Sequence, residues 1–320
     1  MIDILLSGLF SIHTPRVPFM LFAATFASIS EWTKLHDGTR MPTISLGTCC
    51  GSSPEVGLAP WVNAGGIGID TAIGYRDQPQ IAAMLKQIGV ARSSVYITSK
   101  TAAGCGKVPD CAADPNVTVA SIKTSMQQLG VEYIDLMLLH RPCQQLGKAC
   151  SIDPGAAATQ GNCTGPDLIG NPTVANNALW TGMQEAQKQG LVRSIGVSNY
   201  NAAELQALQG AVPVVNQCEM SVSGVDKVTL KYCQEHNIVY ESFGTLRGCD
   251  WTATAVAAAA AAHAVSAAQV CIRWAVSNAT MVLEHCSGVS PDSDERETFA
   301  LECAALFFSS SFFSHAVPSR

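Results

Sequence analysis

Charge is scarce in this chain of 320 residues, of which only 14% are charged while 48% are hydrophobic. The 19 lysines and arginines are outnumbered by 25 acidic residues, which leaves a formal net charge of −6. Such a chain has no basic surface of the kind that nucleic acid or an anionic membrane attracts. Because the apolar content is ample for a folded core, we expect a globular protein whose partner is a small molecule and not a nucleic acid.

Long apolar runs are also missing. The run at 17–27 follows Arg16, contains Pro18 and is shorter than the roughly 20 residues that a membrane-spanning helix needs. It loosely resembles the apolar part of a signal peptide, but an acidic residue near the start and the length before Arg16 argue against one. We expect residues 1–31 to form an N-terminal extension or a targeting segment, and we expect no integral membrane association.

The 13 cysteines contain no CxxC pair, so the usual spacing of a zinc site is absent and we expect no metal. The number is nevertheless high for a cytosolic enzyme, and Asn-X-Thr sequons begin at Asn116, Asn162 and Asn278. Both features are compatible with a compartment in which disulfides form. We expect a cytoplasmic protein, with a secretory or organellar one as the alternative.

What the sequence does contain is a regular alternation of short apolar segments and helical patterns. Residues 34–42 come first and predict a β-hairpin around the turn Asp37-Gly38. Short apolar runs without strict alternation suit strands that are buried on both faces of a parallel sheet. Eight such runs lie near 44–46, 67–69, 95–98, 134–139, 193–197, 212–215, 238–242 and 281–283.

Helical periodicity fills the intervals between these runs. Apolar residues recur with helical spacing in 81–88, 119–129 and 179–186, and each pattern stops at a glycine. The alanine-rich stretch 253–262 has high helix propensity. Ser290-Pro291-Asp292 predicts the start of a last helix, because serine caps helices and proline suits the first helical position.

Eightfold alternation of strands and helices predicts an α/β fold, a (β/α)8 TIM barrel with an N-terminal β-hairpin cap. A doubly wound sheet is the competitor, but it opens with a glycine-rich turn from a strand into a helix, whereas 65–68 leads into a strand. We expect the barrel to occupy 32–308, followed by a C-terminal tail at 309–320. The irregular stretches 101–115 and 142–173 follow strands and are therefore expected at the rim that binds substrate.

The ends of the predicted strands carry a set of chemically useful side chains. Asp70 closes the second strand with Tyr75 just beyond it, Lys100 closes the third, and His140 closes the fourth. In a barrel these ends meet at one rim. A phenol is a weak acid with an unperturbed pKa of about 10, and a neighbouring ammonium that is held by a carboxylate makes it a better proton donor.

Each of the four residues has an ordinary structural explanation when it is taken alone. A lysine after a strand is usually solvated, an aspartate there often caps a turn, and tyrosine and histidine commonly pack against neighbours. All four, however, lie in the required positions on three consecutive strands. This combination favours a catalytic site with Tyr75 as the proton donor.

Eight motifs follow one another along the chain: LHDG at 35–38, LGT at 46–48, DTAIGY at 70–75, ITSK at 97–100, DLMLLHRP at 135–142, GLVRSIGVSNY at 190–200, VNQCE at 215–219 and AQVCIRW at 268–274. In this order and spacing they resemble the aldo-keto reductase family over residues 35–306. The resemblance implies a barrel enzyme in which Asp70, Tyr75, Lys100 and His140 form a catalytic tetrad.

The same resemblance implies residues that bind a nicotinamide cofactor. Ser198, Asn199 and Gln217 match residues that hydrogen-bond the carboxamide of the nicotinamide. Phe243 stands where the family has a stacking tyrosine, and its flat face can still stack on the ring. The cofactor contacts implied in addition are Gly47, Thr48 and Leu246.

The region expected to hold the 2′-phosphate of NADPH departs from the family. No lysine is present at 283–288, where Glu284 introduces a carboxylate, and Arg296 or the backbone N–H groups near Ser290 are the substitutes. NADPH is therefore implied by the resemblance alone, with NADH as the alternative. Asp77-Gln78-Pro79 and Met220-Ser221 also depart from the family pattern, which bears on packing more than on the tetrad.

The function implied is that of a monomeric, NAD(P)H-dependent carbonyl reductase or, in the reverse direction, an alcohol dehydrogenase (NADP+). It would reduce an aldehyde or ketone to an alcohol by hydride transfer, with Tyr75 as general acid and His140 orienting the carbonyl oxygen. The alternative is a cofactor-binding regulatory subunit or a catalytically degenerate member of the same fold.

Overall fold

A ring of parallel strands forms the centre of the molecule. The computed structural model describes residues 32–49, 53–101, 114–143, 172–279 and 281–284. The strands are β1 (Trp32–Lys34), β2 (Arg40–Pro42), β3 (Ile44–Gly47), β4 (Gly68–Asp70), β5 (Tyr96–Lys100), β6 (Ile134–Leu139), β7 (Val192–Ser198), β8 (Val215–Ser221), β9 (Gly224–Val225), β10 (Val239–Phe243) and β11 (Met281–Glu284).

The ring contains β3 to β8 in chain order, followed by β10 and β11, and all neighbouring pairs are parallel. It closes because β10 pairs with β8 on one side and with β11 on the other, and β11 pairs with β3. This closed ring of eight strands confirms the (β/α)8 barrel.

Helices follow most of the barrel strands. The helices are α1 (Pro54–Asn63), α2 (Gln78–Ile88), α3 (Pro115–Leu129), α4 (Pro172–Lys188), α5 (Ala202–Ala207), α6 (Lys227–Glu235), α7 (Thr254–His263) and α8 (Ala267–Asn278). The sequence pattern predicts α2, α3, α4 and α7 and does not predict the other four. Gly89 and Gly130 end α2 and α3 with φ of 79° and 64°, a conformation that glycine adopts without strain.

The predicted hairpin closes the N-terminal end of the barrel. β1 and β2 pair antiparallel, and Gly38 in the turn between them has φ of 88°. Leu35 and Met41 are almost fully buried and pack with inward-facing residues of the barrel such as Tyr96 and Leu136. The hairpin is therefore a cap, as the sequence predicts.

Side chains of the barrel strands alternate between two environments. Ile69, Ile97 and Val197 point outward into the large core that the helices cover. Their neighbours Asp70 and Lys100 point into the barrel, where they are fully buried. This alternation, which parallel barrel strands share, brings polar side chains together near the C-terminal ends of the strands.

The prediction of a sixth strand at 212–215 is wrong in its bounds. The strand begins only at Val215 and continues to Ser221. Pro213 has no N–H to donate to a neighbouring strand, and its carbonyl oxygen lies 3.1 Å from Nε2 of His36 in the hairpin cap. The inward position Gln217 is polar, so the apolar run ends where the strand starts.

Several cysteines are oxidised in the structure. Cys249, in the turn after β10, forms a disulfide with Cys271 of α8. Cys49 and Cys143 are disulfide-bonded as well, whereas Cys218 and Cys233 are free and buried.

Within the described ranges, no single helix combines the length and apolar content needed to cross a membrane; only α7 and α8 together reach them, and they are bent by 98°. Several expectations fall outside the described residues and are not addressed by the structure. They concern the run 17–27, the bulk of the two irregular stretches, the helix start at 290–292, Arg296 and the tail 309–320.

Candidate active site

Three strand ends and one short helical turn position the four predicted catalytic residues. Asp70 is the last residue of β4, Lys100 is the last residue of β5, and His140 directly follows β6. Tyr75 closes the 3-10 turn Ile73–Tyr75, which the bond from its N–H to Ala72 O (3.0 Å) stabilises. The structure thus brings all four to the C-terminal rim of the barrel.

The Lys100 ammonium is the centre of this group. Its Nζ donates to Asp70 Oδ1, to the carbonyl oxygen of Thr71 (3.1 Å) and to the hydroxyl oxygen of Tyr75 (3.2 Å). Lys100 is 1% exposed and Asp70 is fully buried. All three ammonium hydrogens therefore have acceptors in a place that water does not reach, and one of those acceptors is the tyrosine oxygen.

The charge of this lysine is stable despite its burial. Burial alone lowers the pKa of Lys100, but the adjacent carboxylate of Asp70 and the oxygen of Tyr75 outweigh it and raise the pKa above its usual value. Burial in turn raises the pKa of Asp70, and the contact with Lys100 acts in the opposite direction. We conclude that Lys100 and Asp70 form a buried ion pair.

His140 lies against the other side of the tyrosine. The ring centroids of His140 and Tyr75 are 5.6 Å apart, and the ring planes meet at 76°. Burial, together with the positive charge of Lys100, lowers the pKa of the imidazole well below its usual value. His140 is therefore neutral near pH 7 and can donate or accept one hydrogen bond at the rim.

The predicted carboxamide-binding residues also lie together. Ser198 Oγ donates to Gln217 O (2.8 Å), and Asn199 Nδ2 donates to Ser198 Oγ and to His140 O, both at 3.0 Å. Asn199 has φ of 62°, which turns the chain sharply at the end of β7. Ser198 and Gln217 are 1% exposed, while Asn199 is partly exposed at the rim.

Four further residues are predicted to contact a cofactor. Gly47 lies beside Asp70 in the β3–β4 register, and Thr48 Oγ1 donates to Asp70 O (3.1 Å). Phe243 ends β10 and is partly exposed. Leu246 differs from the other three, because it is buried in a small cluster with Cys249, Val256, Cys271 and Ile272.

One buried carboxyl group near these residues, that of Glu241, is not predicted from the sequence. Gln217 Nε2 donates to Asp70 Oδ2 (2.8 Å) and to Glu241 Oε2 (3.0 Å), so this amide joins two acids inside the barrel. Glu241 is fully buried, and the available signal was a charged residue two positions before Phe243 in a short strand between buried neighbours.

Residues just after Tyr75 support the loop that carries it. Thr71 Oγ1 donates to Asp77 Oδ1 (2.6 Å), and Gln78 Nε2 donates to Ser99 Oγ (2.7 Å). Both acceptors and donors are buried. Asp77 and Gln78 therefore contribute to the packing of this loop, and the negative charge of Asp77 in addition raises the pKa of Asp70. Among the residues that the structure describes, no group of three or more His, Cys, Asp or Glu side chains could hold a metal ion.

Comparison with known proteins gives consistent relatives. NADPH-dependent codeinone reductase 1-4 of Papaver somniferum is 31% identical over 261 residues, which cover 75% of each chain. An aldo-keto reductase of Mycolicibacterium smegmatis is 26% identical over 277 residues (85% of this chain and 86% of the relative). Glycerol 2-dehydrogenase (NADP(+)) of Saccharomyces cerevisiae is 26% identical over 303 residues (83% and 88%).

Solved structures share the fold. The aldo-keto reductase of Bombyx mori in complex with NADP superposes with a TM-score of 0.66 at 23% identity, covering 91% of this chain and 90% of that one. The aldo/keto reductase of Brucella melitensis gives the same TM-score at 23% identity, over 85% and 92%. The sequence model of the Aldo/keto reductase family matches residues 58–290. The chain is therefore a member of the aldo/keto reductase family of oxidoreductases.

Proposed function

We propose that this protein reduces an aldehyde or ketone to an alcohol with NADPH, and that Tyr75 is the general acid. The observation that carries the proposal is the buried Lys100 ammonium, which contacts Asp70 on one side and the Tyr75 oxygen on the other. A positive charge in that place stabilises negative charge on the phenol oxygen, which is what a tyrosine needs in order to release a proton near neutral pH.

The remaining groups of the site have complementary roles in this proposal. Asp70 keeps Lys100 charged and fixed in place, because the ion pair is buried and the ammonium has no other anionic partner among the described residues. Neutral His140 orients the carbonyl oxygen toward Tyr75 by a hydrogen bond. Developing charge on that oxygen is then stabilised by fixed groups that need no reorganisation during the reaction.

The rim fits a nicotinamide cofactor. Ser198, Asn199 and Gln217 present hydroxyl and amide groups of the kind that bind a carboxamide, and Phe243 at the end of the neighbouring strand β10 is a partly exposed aromatic residue. NADPH, when bound there, supplies the hydride. Two relatives carry NADPH or NADP(+) in their names, which supports NADPH over NADH.

The extent and setting of the enzyme are part of the proposal. We assign the catalytic unit to 32–308, acting as a monomer on a small carbonyl compound. The cytoplasm was the expected compartment, but the disulfide between Cys249 and Cys271 favours the secretory or organellar alternative.

The test is reduction of a panel of aldehydes and ketones, followed by the loss of NADPH absorbance, with NADH in parallel. We expect turnover with NADPH and weaker turnover with NADH. Tight binding of NADPH without turnover of any carbonyl compound would contradict the proposal and favour the regulatory or degenerate alternative.

A further inference from the structure

We propose that Glu241 is a positioning residue of this site: in its protonated form it helps to fix the orientation of the Gln217 amide and leaves Asp70 as the anion that is paired with Lys100. The inference rests on the proposed function, because it assigns the cofactor contact of Gln217 a defined orientation.

The first observation is an unbroken series of hydrogen bonds that begins at the catalytic tyrosine. Tyr75 accepts from Lys100, Lys100 donates to Asp70, and Asp70 Oδ2 accepts from Gln217, which also donates to Glu241 Oε2. The four residues that follow Tyr75 in this series are at most 1% exposed. The last member is thus linked to the first through buried groups only.

The second observation is a charge imbalance inside the barrel. Asp70 and Glu241 are two buried carboxyl groups, and the buried Asp77 adds a negative charge that acts on Asp70, but Lys100 is the ammonium that they face, and its ion pair is with Asp70. An additional buried anion without a cation is costly, and such a group keeps its proton instead. Of the two acids, Glu241 lacks direct contact with the cation and is therefore the one that holds the proton.

The environment of Glu241 agrees with this assignment. Burial, reinforced by the negative charge of Asp70, raises the pKa of Glu241 to about 8. Glu241 Oε1 is buried without a hydrogen-bond partner among the described residues, so this oxygen can carry the proton at lower cost than a charge. Glu241 also interacts electrostatically with Lys100, whose positive charge lowers the pKa of Glu241 without outweighing burial, and with Tyr96 on β5.

The consequence for the cofactor concerns the two ends of the Gln217 side chain. Asp70, as a carboxylate, can only accept, and protonated Glu241 accepts through Oε2 when its proton is on the unpaired Oε1, so both bonds must come from the amide nitrogen of Gln217. The nitrogen is therefore held toward the barrel interior, and the oxygen remains as an acceptor for an N–H of the nicotinamide carboxamide. Without Glu241, only Asp70 would hold this orientation.

The position of the proton is tested by thermal melting of the wild type and Glu241→Gln between pH 5 and pH 8. An acid whose pKa is raised to about 8 binds a proton in the folded state that the unfolded state, with a value near 4.5, has lost. Its stabilising contribution is complete below that lower value and is lost as the pH rises toward 8. We expect the melting temperature of the wild type to fall relative to the variant over this range. A constant difference would overturn the proposal.

The orientation of Gln217 is tested by titrating NADPH into Glu241→Gln and Glu241→Leu, with circular dichroism as the check on folding. The amide can still accept from Gln217, whereas the leucine cannot, so we expect NADPH to bind about tenfold more weakly to Glu241→Leu, the typical effect of one lost hydrogen bond. On a Gln217→Leu background the two should bind equally. Equal binding with Gln217 present would overturn the orienting role.

Failure of the proposed function is distinguishable from failure of this inference. If the wild type binds NADPH but reduces no carbonyl compound, the proposed function fails while both measurements on Glu241 retain their predicted outcomes. If the wild type is active but the melting difference is constant with pH, only the inference fails.

Discussion

Lys100 Nζ donates to the hydroxyl oxygen of Tyr75 across 3.2 Å, although the two residues are 25 positions apart and lie on different elements. Lys100 is the last residue of β5, and Tyr75 is the last residue of the short turn after β4. Because the same ammonium is paired with Asp70, the tyrosine faces a cation that is fixed in place and permanently charged.

Lys100→Met should lower the turnover number by at least about 100-fold, because Tyr75 loses the cation that favours proton release. The same change leaves Asp70 buried without a counter-ion, so we also expect a loss of about 3 kcal/mol in the free energy of unfolding. Steady-state kinetics and urea unfolding measure the two effects. Lys123→Met, on the exposed face of α3, is the matched control; similar losses in both variants would contradict the role of Lys100.

His140 should be neutral in the folded enzyme. Since burial and Lys100 lower its pKa below the usual 6.5, the unfolded chain binds a proton there that the folded chain does not, and stability is lost as the pH falls below that value. Melting temperatures of the wild type and His140→Gln should therefore diverge as the pH falls from 7 to 5, with the wild type losing more. Parallel curves would show that His140 has an ordinary pKa.

Asp135 should be important for stability and not for chemistry. At the end of the barrel that the hairpin closes, the carboxylate of Asp135 accepts hydrogen bonds from Arg92 (2.5 Å), Arg193 (3.0 Å) and the backbone N–H of Ile97 (3.0 Å). Asp135→Asn should lower the free energy of unfolding by about 3 kcal/mol, since it leaves the partly buried Arg92 without its anion. Arg193→Ala should cost less than about 1 kcal/mol, because this arginine is largely exposed. Urea unfolding of both variants checks the order, and a reversed order would refute it.

The disulfide between Cys249 and Cys271 closes a loop of 22 residues. Because the bond restricts the unfolded chain, its loss should lower the free energy of unfolding by about 3 kcal/mol. The double variant Cys249→Ser, Cys271→Ser should melt at a lower temperature than Cys218→Ser, which removes a buried free thiol. A reductant should lower the melting temperature of the wild type and leave the double variant less affected. Insensitivity of the wild type to a reductant would mean that the bond is absent in solution.

The proximity of the four proposed catalytic residues could be predicted from the sequence because a barrel fixes where strand ends lie. Once Asp70, Lys100 and His140 are placed at the ends of consecutive strands, their proximity follows from the fold. The start of β8 could not be predicted, since Gln217, the inward residue that follows Val215, is polar and Pro213 lies within the apolar run before the strand.

The contacts of individual side chains could not be predicted from the sequence either. Gln217 reaches Asp70 across 147 positions of sequence, and nothing local in the sequence indicates that its amide lies between two carboxyl groups. Leu246 is similar: it is buried in a cluster with Cys249 and Cys271, two cysteines that form a disulfide and that the sequence does not pair.

The most direct test of the proposed function is a single turnover in which NADPH is bound first and a carbonyl compound is then added, with the wild type and Tyr75→Phe at saturating cofactor. The account predicts that NADPH binds both proteins similarly and that oxidation of NADPH is at least about 100-fold slower in Tyr75→Phe, since a missing general acid costs that much or more. Equal rates of NADPH oxidation in the two proteins would remove Tyr75 from its role as proton donor.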